Sequence, residues 1–192
     1  MKKLSLLAAL IAASFSAQAT EYYDEPEYYG AIGTGNAAIS VNVTGANTVS
    51  VSPTSFMIGA QLTDRIGWEA TYGTASADNA TIGQSLSMTQ ITIMGTFSKW
   101  LNEDIVVLGK AGWGSGKTDL SASTVTPTLQ SGSASSSGLA YGVAVEYRMD
   151  DYMGLRVSWS KVKSAVLTGT TTLPVTTSGD VAETAIWLTY RF

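Results

Sequence analysis

The sequence predicts an all-β fold, an eight-stranded antiparallel up-and-down transmembrane β-barrel. Three observations predict it. Apolar residues alternate with period two along most of the chain, short and long connections take turns between the alternating segments, and the aromatics of the apolar faces fall at two heights. Alternation of that kind puts successive side chains on opposite faces of a strand.

In chain order, residues 1–19 read as a secretory signal peptide. Lys2 and Lys3 precede the apolar run Leu4–Phe15, which ends in the small-x-small site Ala17-Gln18-Ala19. The run is shorter than the ~20 apolar residues of a membrane helix, and no later run approaches that length. Any membrane-spanning structure must therefore be β. Residues 20–27, with Glu21, Asp24, Glu25, Pro26 and Glu27, read as an acidic periplasmic lead-in, and residues 28–192 as the barrel.

The eight predicted strands are Tyr28–Val43, Thr48–Thr63, Ile66–Ala75, Leu86–Lys99, Asp104–Lys117, Ser137–Met149, Tyr152–Ala165 and Ala182–Phe192. The face of the first is ambiguous. The others show apolar sets such as Phe56/Ile58/Ala60/Leu62, Ile91/Ile93/Phe97, Leu139/Tyr141/Val143/Val145/Tyr147 and Ile186/Leu188/Tyr190/Phe192. The first two strands form a tall hairpin around Gly45-Ala46-Asn47. Asp64-Arg65, Trp100–Glu103 and Asp150-Asp151 are tight polar links, whereas Ser76–Ser85, Thr118–Ser136 and Val166–Val181 are long and rich in Ser, Thr and Gly. Short links at one end and long ones at the other are the layout of outer-membrane barrels. Pro26 is expected before the first strand, Pro53 where the second emerges from its loop, and Pro127 and Pro174 in long loops, so none removes a mid-strand hydrogen bond.

Membrane-interface aromatics are expected at two levels. Trp68, Phe97 and Tyr147 lie near the short-link end, with Tyr190 and Phe192; Phe56, Tyr72, Trp113, Tyr141 and Trp159 lie higher. At ~3.3 Å per residue and the usual tilt the levels are roughly 15–22 Å apart, matching girdles that flank an apolar band.

The inward face is small or polar, with Gln61, Gly67, Thr71, Gly73, Gln90, Thr92, Ser158 and Ser160, and it carries charges of both signs. Glu69, Lys110, Glu146, Arg148, Arg156, Glu183 and Arg191 form the expected interior charge network, because charges in so narrow a lumen survive only when paired. Such a network either plugs the barrel or gates a small-solute pore, in which case Arg156→Ala or Glu146→Ala raises conductance. Trp187 also points inward and needs a partner for its indole N–H.

These features resemble the small OmpA-like and OmpX-like outer-membrane β-barrels of Gram-negative bacteria. Gly142-Val143-Ala144-Val145-Glu146-Tyr147 followed by Leu155-Arg156 is similar to two adjacent strands of that family, where a Glu and an Arg ten positions apart belong to an interior salt-bridge gate. Ile66-Gly67-Trp68-Glu69 resembles the strand supplying another gate Glu; Thr96 stands where the family's gate lysine would be, and Lys110 is placed to substitute. Tyr190 and Phe192 resemble the family's assembly signal. The resemblance implies residence in the cell outer membrane, contact with its lipids and lipopolysaccharide, and handling by periplasmic chaperones and the barrel-assembly machinery. The family often carries a peptidoglycan-binding domain after the barrel, and none is expected here.

Other function classes find little support. There are no His and no Cys, which removes Ser–His catalysis and the commonest metal ligands, so no enzyme activity, metal or cofactor is expected. Basic residues number 11 against 15 acidic ones, which argues against nucleic acid as partner. Gly112–Thr118 lacks the first Gly of a phosphate-binding loop, and Gly30–Gly35 precedes no helix. An adhesin acting on host or surface ligands through its long loops stays open as the alternative to a structural envelope protein with a narrow or gated pore. A carrier of hydrophobic molecules is disfavoured by the inward charges.

Overall fold

The computed structural model describes residues 22–39, 49–79, 84–122, 132–170 and 173–192. The expected signal peptide, the turn at Gly45-Ala46-Asn47 and Pro127 lie outside them. The described chain is β1 (Tyr22–Ile39), β2 (Val49–Val51), β3 (Thr54–Thr63), β4 (Ile66–Asn79), β5 (Gln84–Trp100), β6 (Ile105–Ala122), β7 (Gly132–Arg148), β8 (Met153–Thr170) and β9 (Leu173–Arg191). All neighbours pair antiparallel in chain order, and β9 returns to pair with β1 from Tyr29↔Arg191 to Ile39↔Val181. The sheet is closed, so the edge that an open sheet would expose is absent along this seam. β2 and β3 together make the second wall strand, which gives the eight expected.

Inside-out alternation follows from the composition. Phe56, Ile93 and Ile186 are 55%, 54% and 54% exposed, while Glu69 on the inner face is wholly buried. A continuous belt of such apolar side chains far exceeds what soluble monomers show, and suits hydrocarbon. The first strand's face is now fixed: Tyr28 and Ile32 point out, Tyr29 points in.

The short connections, 64–65, 101–104 and 149–152, share one device. A side-chain oxygen accepts the backbone N–H groups that the turn leaves free. The Thr63 hydroxyl accepts from Arg65 and Ile66 (3.2 and 2.9 Å), Asn102 Oδ1 from Asp104 and Ile105 (3.0 and 2.7 Å), and Asp150 Oδ1 from Tyr152 and Met153 (2.8 and 2.6 Å).

Three expectations need correction. The long connections are largely strand, because Ser/Thr-rich segments satisfy a ladder as well as apolar ones do: β4 and β6 to β9 continue beyond the predicted loop-side ends, while β5 keeps its predicted bounds to within two residues. Residues 22–27 belong to β1 and are no mere lead-in; Tyr22 pairs with Thr63 and Glu27 with Gln61, with a register shift between them that accommodates Pro26. Pro174 is the second residue of β9, opposite Gly169, where β9 runs beyond its β1 pairing and has β8 alone as neighbour among the described residues. Pro53 sits as expected, between β2 and β3, and its carbonyl accepts from Gly35 N (3.3 Å) and Thr34 Oγ1 (3.2 Å).

Candidate functional site

The lumen holds the candidate site, and strand register assembles it. Glu146 and Arg156 are ten residues apart across the tight turn at 149–152, and this spacing makes them direct cross-strand partners. Lys110 lies directly opposite Thr96, so the ammonium enters from the strand next to the one on which the resembling family carries it. Glu69 faces in from β4, and its partner on β3 is Gly59. A Cβ at Gly59 would stand 2.7 Å from the Tyr29 hydroxyl, so the absent side chain makes room for that ring.

Glu69 is the hub. Tyr29 OH donates to its Oε1 (2.8 Å), Lys110 Nζ to its Oε2 (3.1 Å), and Arg156 Nη1 also reaches Oε1. Arg156 continues to Glu146 through Nε (2.6 Å) and Nη2 (2.5 Å), lies 5.2 Å from the Tyr29 ring centroid, and points Nη1 at Met57 Sδ (3.6 Å). Glu146 also accepts from Arg191 Nη2 and from Thr189 Oγ1 (3.4 Å). The chain ends at the short-turn mouth, where Glu27 bridges Arg148 Nη2 (2.9 Å) and Arg191 Nε (3.5 Å), and Arg148 stacks 4.4 Å over Trp100. Buried charges are tolerated only in such mutually satisfied sets.

Six of the seven expected charges therefore meet in one network: Glu69, Lys110, Glu146, Arg148, Arg156 and Arg191. Glu183 does not. It is buried on β9 four residues from Trp187, forms no ion pair or hydrogen bond among the described residues, and leaves Oε1 unpartnered. Sequence parity placed it inside correctly, and it interacts with Lys110 through space without a hydrogen bond. Trp187 finds its partner in Ser158 Oγ (2.9 Å), and its ring lies so close over Gly33 that a Cβ there would be 2.5 Å away.

Four participants escaped the sequence reading. Tyr29 was hidden by an ambiguous strand face, Glu27 by its acidic, Pro-containing surroundings, and Trp100 by its place at a turn. Met57 carried no polar signal at all. The only available pointer was parity: Glu27 and Tyr29 share a face two residues apart.

Apolar clusters lie beside this network and toward the far mouth. Ala37, Val51, Ala75, Met88 and Val181, from five strands, form a buried cluster in the lumen toward its long-loop end. Met94, Ala140 and Val162 form a second, and Tyr29, Met57, Ala185 and Trp187 a third.

Outside, Phe56, Tyr72, Phe97, Tyr141, Tyr147 and Trp159 are exposed as expected, and Trp68 and Trp113 are half-buried on the same outer face. Tyr141 and Trp159 meet edge-on at 6.1 Å. Tyr190 stacks between Tyr152 (6.4 Å) and Phe192 (6.5 Å), an outward aromatic row at the short-turn end.

Comparison with known proteins agrees with this architecture. The family model described as outer membrane protein beta-barrel domain matches residues 5–192. No curated protein matches the chain. Among solved structures, Ail, the attachment invasion locus protein of Yersinia pestis, in complex with the heparin analogue sucrose octasulfate, is 16% identical with a TM-score of 0.60, covering 88% of this chain and 99% of its own. Neisserial surface protein A is 10% identical with a TM-score of 0.63, over 88% and 100%. The N-terminal β-barrel domain of Pseudomonas aeruginosa OprF is 9% identical with a TM-score of 0.55, over 88% and 100%. At these identities the likeness carries the fold and nothing finer.

Proposed function

The chain belongs to the outer membrane protein β-barrel domain family, and on that premise we propose that it is a non-enzymatic, structural outer-membrane barrel whose lumen is closed at rest. One observation carries the reading: two sets of buried side chains lie in the lumen, the Glu69–Arg156–Glu146 network and the apolar cluster of Ala37, Val51, Ala75, Met88 and Val181. An ion crossing the network would still have to shed water in the apolar layer, and hydrophobic constrictions close pores by dewetting. The charge network alone is then not the gate. Its work is to satisfy charges that hold eight strands at one register.

Planar-bilayer recording tests this. Wild-type protein is expected to give no stable conductance, and Arg156→Ala to stay closed, because the apolar layer is untouched. Sustained opening of the Arg156→Ala channel would show that the network is the barrier and the pore reading correct. The apolar run Leu4–Phe15 after Lys2 and Lys3, and the outward aromatics Tyr190 and Phe192, support export to the envelope, with periplasmic chaperones and the barrel-assembly machinery as transient partners and outer-membrane lipid and lipopolysaccharide as surroundings.

An adhesive role is the second reading, favoured by the height of the rim. β6 runs nine residues beyond Trp113 and β8 eleven beyond Trp159, so the hairpins stand roughly 20–28 Å above the upper girdle. The β7–β8 ladder stops at Ala140↔Val162 while both strands continue, which divides the rim into separate hairpins. The polyanion bound by Ail is a poor guide to a ligand here. Lys117 and Lys161 are already paired with Asp119 (2.9 Å) and Asp180 (2.7 Å). The Ser133 hydroxyl and Lys117 hold the Asp119 carboxyl below its usual range, so it stays charged and competes for the lysine. Deleting residues 123–131 leaves every described strand intact, and loss of host-cell or matrix adhesion in that variant would favour this reading.

A further inference from the structure

At the short-turn end the lumen opens to solvent in a shallow recess enclosing about 20 Å³, lined among others by Glu27, Trp100, Val106, Leu108, Arg148 and Arg191. The charges around it do not balance. Arg148, Arg156 and Arg191 line it against Glu27 and Glu146. The surplus is localised. Glu69 is saturated by Tyr29, Lys110 and Arg156, whereas Arg148 Nε and Arg191 Nη1 are buried and have no partner among the described residues. Arg191 is 5% exposed and the Arg148 side chain 24% exposed, so the Arg191 donor is the one committed to the wall. Guanidinium donors in fixed geometry match carboxylates two bonds at a time.

The present neighbour of both arginines is itself a carboxylate. Glu27 makes one good bond, to Arg148, and one long one, to Arg191, from the part of β1 where pairing with β3 slips register. Beside it, Trp100, Val106, Leu108 and Ala144 form an apolar wall. We propose that this recess is a binding site, reached from the short-turn side, for a small monocarboxylate with a short apolar part. Its head binds between Arg148 and Arg191 in competition with Glu27, and its tail lies against Trp100, Val106 and Leu108. The site does not depend on whether the lumen conducts.

The chain has four arginines, Arg65, Arg148, Arg156 and Arg191, and Arg65 is exposed at a turn, which makes it an internal control. The experiment titrates detergent-refolded, arginine-labelled protein with sodium butyrate at constant ionic strength, following the arginine Nε–H signals by NMR. Saturable shifts are expected at Arg148 and Arg191 and none at Arg65. Affinity should rise about threefold to tenfold in Glu27→Gln, which removes the competitor, and fall about tenfold in Arg148→Gln, which removes a charge-assisted donor. Arg148→Lys serves as a second variant that keeps the charge and loses the fork; it should also bind more weakly. Heat-modifiable gel migration shows that each variant is folded. Linear, unsaturable shifts, equal shifts with inorganic phosphate, or affinity unchanged in Arg148→Gln and Arg148→Lys would overturn the proposal.

Discussion

Glu69 is the residue on which the interior most depends. It is fully buried and accepts from two cations and a phenol, so Glu69→Gln leaves Lys110 and Arg156 facing each other without the charge that justified their burial. Breaking a buried ion pair by removing one partner costs about 3–5 kcal/mol. Urea unfolding of the barrel in lipid vesicles should therefore show Glu69→Gln destabilised by about that amount; a change below ~1 kcal/mol would mean that the network is not structural. Glu183 offers a contrast at the same scale. It is inward like Glu69 but makes no hydrogen bond or ion pair among the described residues, so being inside the barrel does not by itself place a charge in the network.

At the level of elements, the short turns and the strands obey different rules. Each turn depends on one side-chain acceptor, Thr63, Asn102 or Asp150, that satisfies two backbone N–H groups. Asn102→Ala is expected to cost about 1 kcal/mol in the same unfolding measurement, with little change in the folded barrel's gel migration. An effect within error would show that solvent replaces the bonds. These turns were legible in the sequence because Asn, Asp and Thr bond locally, and the answer is written within a few residues. The strand ends on the other side were not. β5 and β6 stay paired up to Gln84↔Ala122, and the Thr118–Ala122 end of that ladder, T-D-L-S-A, has a composition that reads equally well as loop. What extends those strands is the neighbour's backbone, which no local pattern displays.

For the molecule as a whole, the outer belt and the closed seam decide the environment. With Phe56, Ile58, Ile93, Val143, Val157 and Ile186 all turned outward, the folded chain has no stable place in water without lipid or detergent. Protein refolded in detergent is expected to show β-type circular dichroism and to migrate faster on gels before heating than after; a compact monomer in detergent-free buffer would contradict the barrel. The sequence by itself determined the class of fold, the number of wall strands, the inward parity of seven charges and the outward parity of the aromatics. Those depend on alternation, which is local and survives any uncertainty in register. Only the tertiary structure decided which charges meet. Closure of β9 on β1 brings Arg191 and Glu27 to one mouth and stacks Tyr29 under Arg156, while Glu183 Oε1 is left without a hydrogen-bond partner among the described residues. Partnership inside a barrel is set by register between strands far apart in the chain, and a shift of two residues keeps every side chain on its face while changing every neighbour.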